Sequence, residues 1–462
     1  MIAALQLNAQ HLKSYRVTAH FFPRDTQMWG YPVNQDAFMR GTAEVEWSET
    51  PADTVVFYMH GELKIDSVRN GNRTVGYQSE KILYRYDYSR VAVKTTIMPQ
   101  ALQASNTLTI YYSGFMHASK ARSLSDYMRI NRHDGVYLRA YGYSLWFPVF
   151  KGQTDDRYQV DFQKIRVTLP NHFRCVVGGQ LLQETYHKDR YEAVWRPGYA
   201  RVSDIQCTAR RYNVVKDNHI AVYYTTNEKI ARDIMGFAAK LKQFYKTHLR
   251  SVQDSSTLYI MELPRYGNIS SLNMIGMSQG VYQHFHEDIN CKLTIAHELV
   301  HPYVILPVKK ENPFYALIVE GFPAFFHLYG LAKILPDTTF DLGKYMQRLE
   351  QQYLRKKSTG KNRRGFALPE EKPIVDIKAD EIGLYKDRFI LSDRVRLFFF
   401  DLWQNMGDAS FDRFIKELFM LSSIDYTGLE KRVLKYLPEY KDHLHTWLNT
   451  TDYPEALEIK PR

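Results

Sequence analysis

Two histidines and a glutamate stand close together at His297, Glu298 and His301, in the pentapeptide HELVH. If this segment is helical, residues i and i+4 lie on one face, so both imidazoles can point at the same ion. Glu298 follows the first histidine and projects slightly to one side, where its carboxylate can reach a water on that ion. The spacing is typical of a zinc site, although two histidines on an ordinary amphipathic helix would share it.

Zinc needs a third protein ligand, and the position of that ligand separates the classes of zinc site. A metzincin would have a third histidine at position 307 and a glycine at 304, where this chain has Pro307 and Val304, so that class is excluded. Glu320 is the candidate instead, because eighteen residues separate it from His301. A helix that returns antiparallel after a short connection would bring Glu320 opposite the two histidines.

Two parts of the chain with different periodicity must position these residues. From about residue 14 to 212, apolar and polar residues alternate with period two between turn residues, which predicts an all-β domain of the antiparallel sandwich or curved-sheet kind. Asn-Gly-Asn at 70–72 predicts a hairpin within it. Residues 213–462 are predicted to begin with a few strands and to become almost entirely helical, so we expect a multidomain α+β protein.

The elements predicted after residue 213 can be placed by their periodicity. They are strands at 219–226, 256–263 and 278–285, and helices at 228–249, 289–305, 313–331, 339–357, 389–406, 409–421 and 428–448.

The composition limits the class of protein. Of 462 residues, 45% are hydrophobic and 24% are charged, an ordinary balance for a globular protein of two or three domains. No apolar run approaches the roughly eighteen residues of a membrane-spanning helix, so no transmembrane segment is predicted. The three cysteines exclude a disulfide scaffold and a four-cysteine zinc site, but they leave open whether Cys175 and Cys207 form a disulfide.

The net charge of +11 is modest for this length, and no aromatic-basic motif of the ribonucleoprotein type accompanies it, so no nucleic-acid partner is predicted. The densest basic run contains Arg355, Lys356, Lys357, Lys361, Arg363 and Arg364. Such a run can contact nucleic acid or an anionic membrane. The favoured interpretation is a solvated loop between two helices.

The N-terminal segment 1–13 has an apolar start from Met1 to Leu5, and Leu7-Asn8-Ala9 is compatible with the end of a cleavage site. The basic leader and the longer apolar core of a complete signal peptide are missing. The segment is therefore either the remnant of a signal peptide or a disordered terminus. The first interpretation places the protein in the periplasm or outside the cell, and the second is compatible with the cytoplasm.

HELVH, the interval of eighteen residues and then Glu320-Gly321-Phe322 resemble the aminopeptidase N family of gluzincin zinc metallopeptidases, whose usual pattern is HELAH followed by NEGF. The segments LTIYYSG and GVYLRAYGYSLWFPVF are similar to the strand and the Trp-Phe-Pro stretch that end the first domain of that family. The resemblance covers most of the chain in order. It implies an N-terminal β domain, residues 14–212, and a thermolysin-like, mostly helical zinc peptidase domain, residues 213–462.

Carried over to this chain, the resemblance implies one zinc ion per chain, bound by His297, His301 and Glu320, with Glu298 as the general base of peptide-bond hydrolysis. The chemistry of these residues agrees with it. A zinc ion with three protein ligands keeps a fourth position for water and lowers the pKa of that water to about 7. The substrate implied is a peptide or a protein.

The chain departs from the family where the substrate is bound. The Gly-x-Met-Glu-Asn motif of the family corresponds to Gly276, Met277, Ser278 and Gln279, so that serine stands in place of the acidic residue. A second acidic or amide group of the family corresponds to Arg139. Neither segment supplies a carboxylate for an α-ammonium group, so the N-terminal amine recognition of the family is not expected here. The choice between exopeptidase and endopeptidase action stays open.

The tyrosine that stabilises the oxyanion in the family falls at Ser392 in this chain, and Tyr385, seven residues earlier, is the candidate if the helix start is rearranged. The sequence thus predicts a zinc metallopeptidase. The alternative is a protein of the same fold that binds peptides or has a structural role, with little or no turnover. The intact ligand set and Glu298 favour the enzyme, whereas Ser278 and Arg139 favour the alternative.

Overall fold

The chain divides into two units, Met1–Ala231 with Ser256–Gln279, and Arg232–Ser255 with Gly280–Arg462. The structure is a computed structural model, and it describes residues 12–23, 26–28, 31–33, 36–83, 91–102, 105–117, 128–131, 135–139, 145–151, 153, 159–249, 257–263, 269–304, 312, 314–336, 339–361, 365, 367–378, 381, 390–421 and 424–454. Residues 1–11, Arg363, Arg364 and Tyr385 lie outside this set. What the sequence predicts for them stays a prediction.

Strands are the main secondary structure of the described residues of the first unit. They are β1 (Leu12–Pro23), β2 (Thr26–Met28), β3 (Tyr31–Val33), β4 (Asp36–Trp47), β5 (Val55–His60), β6 (Leu63–Asn70), β7 (Arg73–Thr74), β8 (Gln78–Leu83), β9 (Val91–Ile97), β10 (Thr107–His117), β11 (Met128–Asn131), β12 (Gly135–Arg139), β13 (Val149–Phe150), β14 (Gln159–Pro170), β15 (Arg174–Val176), β16 (Gln180–Tyr186), β17 (Arg190–Arg196), β18 (Gly198–Arg201), β19 (Gln206–Arg210), β20 (Asn213–Lys216), β21 (Ile220–Tyr224), β22 (Leu258–Leu263), β23 (Ile269–Ser271) and β24 (Met274–Ser278).

Among the described residues, these strands form one large sheet and several smaller ones. The large sheet has nine strands in the order β16-β17-β14-β1-β4-β10-β6-β7, with β18 also paired to β14. It is antiparallel except where β1 and β14 run parallel. The smaller sheets are β11-β12-β19-β15, β13-β5-β9-β8, β2-β3 and β20-β21-β22-β24-β23. The last of these lies in the first unit, whereas the division at residue 213 assigns it to the peptidase domain, and that division stays a prediction.

The period-two pattern produces a sandwich. In β1, Tyr15, Val17, Ala19 and Phe21 are buried, and the residues between them are not. Phe150 of β13 lies 6.2 Å from the ring of Tyr15, so the β13-β5-β9-β8 sheet faces the nine-stranded sheet across a shared core. Burial of one side chain in two is what an antiparallel sheet with one covered face requires.

Three details of the first unit bear on the sequence predictions. The hairpin predicted at 70–72 is confirmed, since Asn70 pairs with Arg73 and Gly71 has a φ of 58°. Cys175 and Cys207 are both buried free thiols. Burial raises the pKa of Cys175 to about 12, which makes this thiol unreactive.

Helices follow the first strands of the five-stranded sheet, and they are the main secondary structure of the described residues of the second unit. They are α1 (Glu228–His248), α2 (Gln279–Gln283), α3 (Ile289–Val304), α4 (Phe322–Ile334), α5 (Leu342–Thr359), α6 (Val395–Met406), α7 (Asp408–Phe419), α8 (Tyr426–Tyr436) and α9 (Lys441–Asn449). Short 3-10 turns occur at Pro99–Leu102, Val202–Asp204, Ile374–Asp376 and Pro438–Tyr440. Two π-turns, Leu317–Gly321 and Ile390–Arg394, lead directly into α4 and α6. No helix within the described ranges is long and apolar enough to span a membrane.

Two predicted elements are wrong in detail. The helix predicted at 428–448 is two helices, because Pro438 has no N–H to donate and Leu437 before it has left the helical region, with φ −135° and ψ 79°. The strand predicted at 278–285 is absent from the described structure there, since Ser278 ends β24 and Gln279 begins α2.

The basic run is only partly a loop. Lys356 and Lys357 lie in the last turn of α5, which ends at Gly360 with a φ of 61°. Lys356 pairs with Asp393, and the ammonium of Lys357 lies 3.1 Å from the carboxylate of Glu371. The interpretation as a solvated loop is therefore wrong for these two lysines, whose charges are matched within the second unit.

Candidate metal centre

Helix α3 presents His297, Glu298 and His301 as half-buried side chains. The Nε2 atoms of His297 and His301 lie 3.3 Å apart, and the two ring planes are nearly perpendicular, at 86°. The same helix is anchored in the core by Ile295, Ala296, Leu299 and Val300. Both imidazoles therefore point to one place, as a spacing of four on a helix requires.

Local contacts explain where α3 begins and what holds it. The carboxylate of Asp288 accepts a hydrogen bond from the N–H of Asn290 at 2.9 Å, which caps the first turn. The hydroxyl of Tyr245, on α1, donates to the carbonyl oxygen of Ala296 at 3.1 Å. Tyr245 is fully buried, so this contact fixes α3 one residue before His297.

Glu320 comes from the π-turn before α4. The N–H of Phe322 bonds to the carbonyl of Leu317, five residues back, which is the bond that defines a π-turn. In this position the carboxylate of Glu320 has an oxygen within 4.8 Å of a ring nitrogen of each histidine, His297 and His301. Single π-turns inside α-helices occur frequently at functional sites.

The three side chains suit zinc. Two nitrogens that are each about 2.0–2.1 Å from a tetrahedral ion lie about 3.3–3.4 Å from one another. The Nε2 atoms of His297 and His301 have this separation, 3.3 Å. Two imidazoles and one carboxylate also match the preference of zinc rather than of magnesium or calcium, which favour oxygen ligands. The donor set and the nitrogen spacing both fit the metal.

A third histidine, which the sequence analysis does not identify, adjoins the site. His327 on α4 is 3% exposed, and its ring centroid lies 5.1 Å from that of His297, with the planes at 83°. Its Nδ1 donates to the carbonyl of Pro323 at 2.8 Å. Burial, reinforced by the positive charge of Arg396, lowers the pKa of His327 to about 3, so this imidazole is neutral. The sequence feature that could have identified His327 is its position seven residues after Glu320, which is two helical turns along one face.

The residues predicted to bind substrate lie in the first unit. Gly276 and Met277 are buried in β24, Ser278 ends that strand half-buried, and Gln279 begins α2. β24 is paired with β22 on one side up to Ser278, and among the described residues it is paired with β23 on the other side from Met274 to Gly276. Contact of these residues with a substrate stays a prediction.

The structure describes the remaining predicted site residues only in part. Arg139 ends β12, where it pairs with Gln206, and its side chain is not among the described ones. Tyr385 lies outside the described residues. Ser392, which occupies the family's tyrosine position by count, belongs to the second π-turn, and its hydroxyl donates to Asp393 at 3.2 Å.

In sequence, no family model and no curated protein matches this chain. In fold, it is similar to solved M1 zinc metallopeptidases. The M1 zinc metallopeptidase from Deinococcus radiodurans is 15% identical, with a TM-score of 0.63 over 98% of this chain and 96% of that one. A two-domain M1 zinc metallopeptidase mutant bound to L-arginine is 14% identical, with a TM-score of 0.61 over 97% and 96%. Yeast LTA4 hydrolase in complex with bestatin is 14% identical, with a TM-score of 0.61 over 97% of this chain and 69% of that one.

At these identities the likeness establishes the fold. It confirms the predicted class, an α+β protein with an N-terminal antiparallel sheet domain followed by a mostly helical, thermolysin-like domain, over 98% of the chain. The His297, His301 and Glu320 group therefore lies in a protein whose structural neighbours are zinc metallopeptidases.

Proposed function

We propose that this protein is a zinc-dependent peptidase whose zinc is bound by His297, His301 and Glu320. The observation that carries the proposal is the convergence of one ligand atom from each residue within 4.8 Å, in a fold shared with M1 zinc metallopeptidases. When bound, zinc would supply Lewis-acid chemistry, lowering the pKa of a water at its open coordination position to about 7 and polarising the substrate carbonyl. One zinc ion per chain is expected.

Glu298 is the proposed general base. It is half-buried, next to His297 on α3, and it is not one of the three proposed ligands. Its carboxylate would accept a proton from the attacking water and deliver it to the leaving nitrogen, so that the peptide C–N bond breaks to give a neutral amine. His297 and His301 would bind the metal through the lone pairs of their Nε2 atoms, which requires both imidazoles to be neutral.

We propose peptides as the substrate class, with weak dependence on a free N-terminus. A related M1 zinc metallopeptidase has been solved with a Tyr-ser-ala substrate. In this chain Ser278 follows Met277 where the family has an acidic residue. An ammonium group held in a buried site without a carboxylate partner costs several kcal/mol, so selection for a free amine is not expected.

Matched peptides with free and acetylated N-termini test this specificity. We expect the two to be hydrolysed at similar kcat/KM. A hundredfold advantage for the free amine would contradict the proposal and would direct attention to another acidic residue, Glu262 or Glu287. Glu262 is fully buried and pairs with Met277 in the neighbouring strand, whereas Glu287 is exposed.

Tyr385 is the proposed source of the hydroxyl that stabilises the oxyanion. Removal of one such donor typically lowers kcat by about 10²–10³. Tyr385→Phe should therefore lower kcat by about this factor with little change in KM, and a variant with the kcat of the original chain would exclude the role.

A peptide-binding protein with little turnover is the second candidate, favoured by Ser278 in the position of the acidic residue. Incubation with a mixed peptide library, with and without a zinc chelator, separates the two. Cleavage that stops with chelator and returns with added zinc supports the peptidase. Peptides that bind to the zinc-loaded protein and remain intact support the alternative.

A further inference from the structure

Gly321, the residue after Glu320, has no room for a side chain. A Cβ atom on it would lie 2.7 Å from Cγ1, 3.1 Å from Cβ and 3.2 Å from Cγ2 of Val395. Its backbone is helical, with φ −70° and ψ −49°, so the conformation alone would accept any residue. The glycine is required by the close approach of Val395, which is fully buried at the start of α6. A β-branched side chain in a helix has one strongly preferred rotamer, so Val395 cannot easily turn away.

Val395 is in turn held by the second π-turn. Arg394, directly before it, has a side chain with no exposed surface. Its guanidinium donates to the Glu371 carboxylate at 2.9 Å. It also donates to main-chain carbonyls near the C-terminus, at Thr446, Trp447, Thr450 and Asp452. These bonds tie the π-turn at Ile390–Arg394 to the end of the described chain.

We infer that Arg394 is a positioning residue for the metal site: by holding Val395 against Gly321, it fixes the place of Glu320. The inference rests on the proposed zinc site. It makes the affinity for metal depend on the segment 446–452, which supplies no ligand. Arg394 is not one of the proposed ligands, and it acts through Val395, which approaches Gly321, the residue after Glu320.

The short distance along the chain explains why such a contact can matter. Glu320 and Gly321 share a peptide unit, so a displacement of Gly321 moves the carboxylate that completes the site. Metal–ligand distances tolerate only about 0.2 Å of change. Loss of residues that orient metal ligands typically costs about 10–100-fold in metal affinity.

Gly321→Ala is the direct test. Zinc affinity is measured on the full chain by competition with a chromophoric chelator, beside the unfolding midpoint of the metal-free protein. We expect at least a tenfold loss of affinity, and recovery of much of it in Gly321→Ala/Val395→Ala, because the second change removes both γ-methyl groups. Gly236→Ala is the matched control, since a Cβ on that α1 glycine meets nothing within 4 Å.

Arg394→Met tests the other end of the connection. We expect about tenfold weaker zinc binding and an altered absorption spectrum of the cobalt-substituted protein, which reports ligand geometry. Arg432→Met is the matched control. Arg432 also donates to main-chain carbonyls, those of Glu417 and Gly428, but it lies in the α-helix α8 and not in a π-turn. It should reduce stability and leave zinc affinity unchanged. Arg394→Lys, which keeps the charge, should fall between the original chain and Arg394→Met.

The outcomes separate this inference from the proposed function. If Gly321→Ala binds zinc as tightly as the original chain, the inference is overturned, even where Arg394→Met fails to fold. Zinc binding with the expected losses, but without peptide hydrolysis in the original chain, overturns the peptidase proposal alone. An original chain that binds no zinc overturns both.

Discussion

The two helical segments that carry the candidate zinc ligands, α3 and the π-turn that leads into α4, place them in different ways. In α3 a spacing of four residues is sufficient to bring the Nε2 atoms of His297 and His301 to 3.3 Å. Glu320 instead lies in a π-turn, next to a glycine that approaches Val395 closely. The imidazole pair is thus arranged within one helix, whereas the carboxylate depends on packing against a distant part of the chain. Local and tertiary contributions to one site can therefore be perturbed separately.

Removal of one ligand from each helix should have the largest effect. In His301→Ala and in Glu320→Ala, zinc content should fall from about one ion per chain to a small fraction of that, with loss of hydrolysis, because two protein ligands hold zinc far less tightly than three. The loss should exceed the roughly 10–100-fold that an orienting residue contributes. Elemental analysis of protein purified without chelator measures it. A Glu320→Ala protein with a full zinc complement would show that the ligand set is wrong.

Glu298→Gln should separate catalysis from metal binding. The amide cannot accept a proton from water, and general-base catalysis contributes about 10²–10⁴-fold, so hydrolysis should fall by this factor. Zinc content should stay at the level of the original chain, since the side chain is not a proposed ligand. Nearly full peptidase activity in this variant would exclude Glu298 as the base.

The contrast between the two helices also explains what the sequence could predict. The helix predicted at 289–305 runs from Ile289 to Val304, and its histidines meet as their spacing requires. Alternating residues similarly predicted the sheet domain, because strands such as β5 and β14 bury about one side chain in two. These patterns are local, so a single sequence contains them.

What the sequence did not predict depends on tertiary contacts. A π-turn at Leu317–Gly321 leaves no periodic signal, since the same residues would also form a regular α-turn. A buried arginine such as Arg394 cannot be told from an exposed one by its type, because arginine is usually on the surface. The strand wrongly predicted at 278–285 had the right alternation, but its residues begin a helix after Ser278.

Tyrosine contacts permit a finer test of the two helices. Tyr329 on α4 donates to the carboxylate of Asp412 at 2.6 Å. A hydrogen bond to a charged group contributes about 1.5–3 kcal/mol, and partial exposure of Asp412 favours the lower end. Tyr329→Phe should therefore reduce the free energy of unfolding by about 1.5 kcal/mol at neutral pH, in denaturant titrations of the metal-free protein. A change below about 0.5 kcal/mol would contradict this strength.

Tyr245→Phe, on α1, removes the matched contact to α3 and should have the smallest effect. Tyr245 donates to the Ala296 carbonyl at 3.1 Å, a neutral acceptor, so the loss of unfolding free energy should be about 0.5–1 kcal/mol.

The Tyr329→Phe and Tyr245→Phe variants should also differ in the pH dependence of their stability. Burial alone would raise the pKa of Asp412, but hydrogen bonds from His248 and Tyr329 outweigh it and hold that pKa below its usual value. A carboxylate with a lowered pKa stabilises the folded state above its unfolded pKa of about 3.9 and loses that contribution as the pH falls through the folded value. The cost of Tyr329→Phe should therefore shrink as the pH falls below about 4, while the cost of Tyr245→Phe stays constant. Equal pH dependence in the two variants would show that the Asp412 contact does not stabilise α4 by its charge.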